Sequence, residues 1–149
     1  MQETGLAMVK RVFAVNIAVE DLDAAVTKYS AVFAATPQPH PPFAFPGLKG
    51  MSLRVGNVMV NLIGSDQPNT NIARFLEARG EGLFSISLEV SDIGEAMREL
   101  VEKGVEFVSE RPIDFVSGKM NFARPRSTHG VQIAFAQHEP GKQPLLREP

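Results

Sequence analysis

Two stretches decide the fold: FAVNIAVEDLDAAVTKY, Phe13 to Tyr29, and FSISLEVSDIGEAMREL, Phe84 to Leu100, which superpose when the chain is slid on itself by 71 residues. Phe13 falls on Phe84, Ile17 on Leu88, Val19 on Val90, Asp21 on Asp92 and Ala25 on Ala96. Before each aspartate the apolar residues alternate, with Phe13, Val15, Ile17 and Val19 on one face, and period 2 means a strand. After it, Leu22, Ala25, Val26, Tyr29 and Phe33 recur at helical spacing, as do Ile93, Ala96, Met97 and Leu100. Asp21 and Asp92 stand where N-caps belong, Glu95 completes a capping box, and Lys103-Gly104 supplies a helix stop.

Working outward, each half continues in short strand signals. Met51–Val55 and Val58–Ile63 are joined by a Gly56-Asn57 turn; Val105–Ser109, Gly118–Ala123 and Val131–Phe135 follow in the second half. Asn71 to Arg79 carries Ile72, Phe75 and Leu76 at helical spacing and stops at Gly80, which predicts a connecting helix. Thr36 to Gly47 holds five prolines, and proline cannot donate to a ladder, so a loop with at most an edge strand is expected there. The expectation is an α+β fold of two tandem βαβββ modules forming a cupped mixed sheet. It runs as a single domain over 9–137, with module one at 9–64, a connecting helix at 70–80, module two at 83–137, and loose termini at 1–8 and 138–149.

Composition narrows the partners. The 149 residues are 44% hydrophobic and 21% charged, with a net charge of −2 and no cysteine. No basic face for nucleic acid or an anionic membrane is implied, thiolate chemistry is excluded, and a small-molecule partner is expected. No apolar run approaches the roughly 20 residues of a membrane helix and Met1–Lys10 lacks a signal-like apolar core, so a cytoplasmic location is the expectation.

The segments NIAVEDLDAAV, IARFLEARGEGLFSISLEVSDI and RPRSTHGVQIAF resemble the vicinal oxygen chelate superfamily, the glyoxalase, bleomycin resistance and dioxygenase proteins, and in particular its methylmalonyl-CoA epimerase-like branch. The likeness covers most of Arg11 to Ala136. It implies the cupped fold, a homodimer, and a divalent metal held by one inward side chain on each of four strands. Carried over residue by residue, those ligand positions are Ala14, Asn61, Ser85 and Ala134. Two alanines, a serine and an amide do not make a divalent site, which wants imidazoles and carboxylates. The expectation is therefore no metal and no cofactor.

Period 2 then places Ala14, Asn16 and Ala18, Met59, Asn61 and Ile63, Ser85, Ser87 and Glu89, and Gln132, Ala134 and Ala136 on the inward face. Small residues and amides there suggest a cavity rather than a solvated surface. Candidate ligand-binding residues are Asn16, Asn61, Ser85, Ser87, Gln132, Met59, Phe43 and Phe45. Glu89, the one inward carboxylate, and His40, in the proline-rich loop beside Phe43 and Phe45, are the candidate acid–base groups. Lys119, Arg124 and Arg126 flank the last hairpin as a basic rim suited to an anionic group. His129 reads as a turn residue and His138 as the inert start of the tail. Two readings compete: a metal-independent isomerase or lyase acting on a small carbonyl compound or thioester, and a binding protein that sequesters its ligand without reacting.

Overall fold

A computed structural model describes residues 9–38 and 46–142. The elements are β1 (Val9–Ala18), α1 (Leu22–Phe33), β2 (Leu48–Val55), β3 (Val58–Ser65), α2 (Asn71–Arg79), β4 (Gly82–Val90), α3 (Ile93–Glu102), β5 (Ile113–Phe115), β6 (Gly118–Ala123), a 3₁₀ turn (Pro125–Ser127) and β7 (Ile133–His138). The fold is α+β with mixed strand pairing. The chain forms two compact units, one containing residues 14–38 and 46–84, the other residues 9–13 and 85–142.

In the first unit the strands run β2-β3-β1, with β1 parallel and β2 antiparallel to β3. The Gly56-Asn57 turn sets the hairpin register, so that Ser52 lies opposite Asn61 and Leu53 opposite Val60. One face of the sheet buries Val19, Leu53, Val60 and Leu62 against Leu22, Ala25, Val26 and Tyr29 of α1. A second cluster, Ala18, Ile63 and Ile72, takes in Phe75 and Leu76 of α2 together with Phe84. Both helices start on side-chain caps: Asp21 Oδ1 accepts the Ala24 amide at 3.0 Å and Thr70 Oγ1 the Ala73 amide at 3.0 Å. Helix α1 ends on Ala34 in the left-handed region, φ 53° and ψ 42°, where glycine would avoid the Cβ penalty.

In the second unit the strands run β4-β7-β6-β5, with β4 and β7 parallel and the others antiparallel. Val90, Ile93, Ala96, Ala123 and Phe135 form its core, with Leu88, Met97, Leu100 and Phe107 packed around them. Asp92 Oδ1 caps α3 through the Glu95 amide at 2.9 Å.

Two strand expectations are corrected here. Val105–Ser109 is not a strand, but its Glu106 carbonyl and Val108 amide bond Arg124 and Phe122 around a single bridge, Phe107 to Ala123. The chain then leaves β6 at Ser109 and returns as β5, because Pro112 has no amide to continue a ladder. The buried Asn121 fills the interruption, its Nδ2 donating to the Ser109 carbonyl at 2.9 Å. The last strand is Ile133–His138 rather than Val131–Phe135, since Thr128 Oγ1 ties the Val131 carbonyl into the preceding turn. His138 is therefore no tail residue; it is the buried end of β7.

Ala34→Gly is expected to raise stability by about 0.5–1 kcal/mol, the left-handed penalty less the extra entropy of an unfolded glycine. Gly118→Ala is expected to cost about 2 kcal/mol or more by overpacking, because a Cβ at Gly118 would overlap the Gln137 carbonyl of β7. Urea midpoints of the two variants against the parent check both.

Candidate functional site

The alternation read from the sequence holds in β1 and β4. Ala14, Asn16 and Ala18 are buried along β1, and Ser85, Ser87 and Glu89 along β4, each set separated by less buried residues. Asn61 and Ile63 on β3 and Ala134 and Ala136 on β7 are buried as well, whereas Met59 is only half-buried. Gln132 precedes β7; it is half-buried and its backbone carbonyl accepts the Ile86 amide at 3.2 Å. His40, Phe43 and Phe45 lie outside the described residues.

The first unit carries a polar row across three strands. Asn16 is the β-partner of Asn61, and Asn61 is the partner of Ser52. Ser52 Oγ donates to Asn61 Oδ1 at 2.6 Å and Asn61 Nδ2 donates to Asn16 Oδ1 at 2.9 Å, with all three residues buried. A buried amide without partners costs about 1–3 kcal/mol, so this chain of bonds is what lets neutral polar groups sit on an otherwise apolar sheet. Ser52 was missed in the sequence, although the two-residue Gly56-Asn57 turn already sets it opposite Asn61.

The family-implied metal can be tested against these groups. Ala14 and Ala134 have no donor atom, and the Asn61 amide oxygen, the better donor of the remaining two, already accepts from Ser52. Among the described residues no three His, Cys, Asp or Glu side chains are grouped to hold a metal. The donor set does not fit a divalent ion at the family positions.

In the second unit Glu89 is enclosed rather than poised. Its Oε1 accepts from Arg11 Nε at 2.8 Å and its Oε2 lies 3.4 Å from His138 Nδ1, with side-chain exposures of 19% for Arg11, 6% for Glu89 and 2% for His138. The His138 ring packs edge-on against Phe13 at 4.6 Å and Phe115 at 5.7 Å. At 3.4 Å the histidine contact is electrostatic, and among the described residues Nδ1 has no hydrogen-bond partner. Burial holds His138 below the usual imidazole range, opposed by the Glu89 carboxylate and reinforced by the Arg11 guanidinium. Arg11 and His138 were not among the candidates, because their contacts with Glu89 join residues far apart in the chain, 78 for Arg11.

The basic rim is partly spoken for. Lys119 pairs with Asp114 at 2.6 Å and Arg126 with Glu106 at 2.7 Å, both at the surface, while Arg124 is exposed. The first unit also has a cleft of about 490 Å³ between α1 and the end of β1, lined by Ile17, Val19, Ala25, Lys28, Tyr29 and Glu81 among others. Neither Asn16, Asn61 nor Met59 lines it.

Asn61→Ala is expected to cost about 2–3 kcal/mol, since it strands the Ser52 hydroxyl and the Asn16 oxygen in a dry setting. Arg11→Met is expected to cost about 3 kcal/mol by leaving a carboxylate buried without its guanidinium, and adding Glu89→Gln in the same chain is expected to recover part of that loss. Chemical denaturation of the single and double variants reads both effects.

With this geometry in place, the comparisons with known proteins fall into line. A sequence description of the Glyoxalase/Bleomycin resistance protein/Dioxygenase superfamily matches residues 14–123. The mitochondrial methylmalonyl-CoA epimerase of Bos taurus is 30% identical over 128 residues, covering 83% of this chain and 71% of that protein. The crystal structure of methylmalonyl-CoA epimerase from Mycobacterium tuberculosis superposes with a TM-score of 0.82 at 27% identity, over 94% of both chains. A methylmalonyl-CoA epimerase in complex with methylmalonyl-CoA and ammonium has the same fold, TM-score 0.79 at 22% identity, covering 91% of this chain and 99% of that one. The chain belongs to the glyoxalase/bleomycin resistance protein/dioxygenase superfamily, the vicinal oxygen chelate proteins.

Proposed function

We propose that this protein binds a small carbonyl compound or acyl thioester through neutral hydrogen-bonding groups, without a divalent metal. The observation that carries this reading is the Ser52–Asn61–Asn16 chain, which puts a bonded amide at a position where the family likeness implies a metal ligand. Preorganised amides and hydroxyls can hold a carbonyl oxygen without a metal, because their dipoles are already fixed before the ligand arrives. The thioester class comes from the relatives, whose names are those of methylmalonyl-CoA epimerases. Asn16 and Asn61 of the first unit are assigned to ligand contact, with Met59 less buried on the same strand as Asn61; Ser85, Ser87 and Gln132 are the corresponding candidates of the second unit.

The sequestering form of this reading is favoured over turnover by the state of Glu89. A carboxylate that is already ion-paired to Arg11 must give up that interaction to take a proton from a carbon acid, which raises the barrier. Turnover as a metal-independent isomerase draws its support from the epimerase relatives alone. The homodimer implied by the family likeness and a cytoplasmic site of action belong to the same proposal. The sequence and fold add only that no helix among the described residues is long and apolar enough to cross a membrane.

Thermal shift and calorimetry with methylmalonyl-CoA, propionyl-CoA and free CoA test the reading. A ligand at 100 times its Kd is expected to stabilise the fold by about 2.7 kcal/mol, and the gain should be the same with and without EDTA. Binding that disappears with the chelator, or no shift with any acyl thioester or small 2-oxo acid, would count against it. Proton NMR in D₂O separates the two forms: sequestration predicts no exchange of the α-proton of methylmalonyl-CoA beyond the uncatalysed rate, and isomerisation predicts exchange.

A further inference from the structure

His138 is a buried titratable group for which the ligand-binding reading has no use. Its side chain is 2% exposed and, among the described residues, its Nδ1 has no hydrogen-bond partner, a situation that costs free energy and calls for a physical reason. The ring shares a face of β7 with the buried Ala134 and Ala136 and is wedged between Phe13 of β1 and Phe115 of β5. In register it stands opposite Gly118, the first residue of β6, which in turn pairs with Phe115. There is no room for a Cβ at Gly118 against the Gln137 carbonyl, so the β5–β6 hairpin lies directly on the backbone of β7 at the point where His138 is buried.

Among the described residues the charged groups that face this ring are Glu89 from β4 and Arg11 from β1. The hairpin contributes Phe115 and Gly118, neither of which carries charge. The flanking Lys119–Asp114 and Lys142–Glu139 pairs are closed on themselves at the surface. Glu89 is shared with Arg11, which leaves a protonated His138 half of one carboxylate and an aromatic cage.

We propose that His138 is a proton-operated latch, which fastens the β5–β6 hairpin onto β7 when neutral and releases it when protonated. A neutral imidazole is at home between two ring edges, whereas an imidazolium needs water or a full counter-ion. Water can reach the ring at least disruption by lifting Phe115, because β5 is a three-residue edge strand and the other neighbours belong to interior strands. Burial places the folded-state pKa below that of the unfolded chain. The linkage therefore has one sign: the stability from neutral His138 is complete above about pH 6.5 and is lost as the pH falls from there through the folded value. This inference does not depend on the ligand reading.

Hydrogen exchange followed by NMR on the unmodified protein, at about pH 7.5 and about pH 5, tests it directly. Protection of the amides from Phe115 to Lys119, corrected for intrinsic exchange, is expected to fall at the lower pH. Amides of the β2–β3 hairpin should hold their protection. The fall should track the titration of the His138 ring protons in the same sample, a comparison that needs no variant. His138→Gln, which cannot charge, should show protection independent of pH across this range. Constant hairpin protection in the parent, a fall that does not follow the His138 titration, or a fall that persists in His138→Gln would overturn the latch.

Discussion

The alternation of side chains along β1 is the constraint on which the first unit depends. Because its strand period is two residues, Val15 and Ile17 face α1 while Ala14, Asn16 and Ala18 face the other way. A one-residue slip would press Asn16 into the α1 packing and expose Ile17 to the polar side. Parallel pairing with β3 carries the same phase onward, placing Asn61 beside Asn16, and the Gly56-Asn57 turn carries it to Ser52. Three strands are thus locked in one register both by apolar burial on one face and by a chain of hydrogen bonds on the other.

The two units handle buried polarity differently. The first uses neutral groups that satisfy one another, the second an ion pair with an uncharged histidine beside it. A neutral network in a dry sheet keeps its donors and acceptors fixed over a wide pH range, which suits a surface that must present the same dipoles to a ligand. An Arg–Glu–His group is sensitive to a proton added at the histidine, because desolvation penalises the further charge. In the proposed reading that contrast puts recognition with Asn16 and Asn61, which Ser52 holds in place, and a conditional, structural role with His138. It also weakens Glu89 as a general base, since its carboxylate already has two neighbours.

Much of this was legible in the sequence. The internal repeat located β1, α1, β4 and α3, both aspartate caps act where the spacing placed them, and Asn71–Arg79 is helical to the residue. Such features depend on local periodicity and capping chemistry, which a sequence displays openly. The failures are non-local. The broken edge beside β6 depends on Asn121 reaching the Ser109 carbonyl, and the end of β7 on a turn hydrogen bond at Val131. His138 read as the start of the tail, and nothing singled out Arg11, until pairing brings both to Glu89. Ser52 was within reach, because a two-residue hairpin turn sets every cross-strand pair behind it.

The central proposal is that a bonded amide row stands in for metal chemistry in a fold whose likeness implies a metal. Elemental analysis of untagged protein, purified without chelators and then equilibrated with zinc, cobalt and nickel, bears on it most directly. The account predicts far less than one metal ion per chain, with no change on Asn61→Ala. One tightly held ion per chain, lost on mutating Asn61 or Ser85, would contradict it and would show that these side chains ligate metal rather than one another.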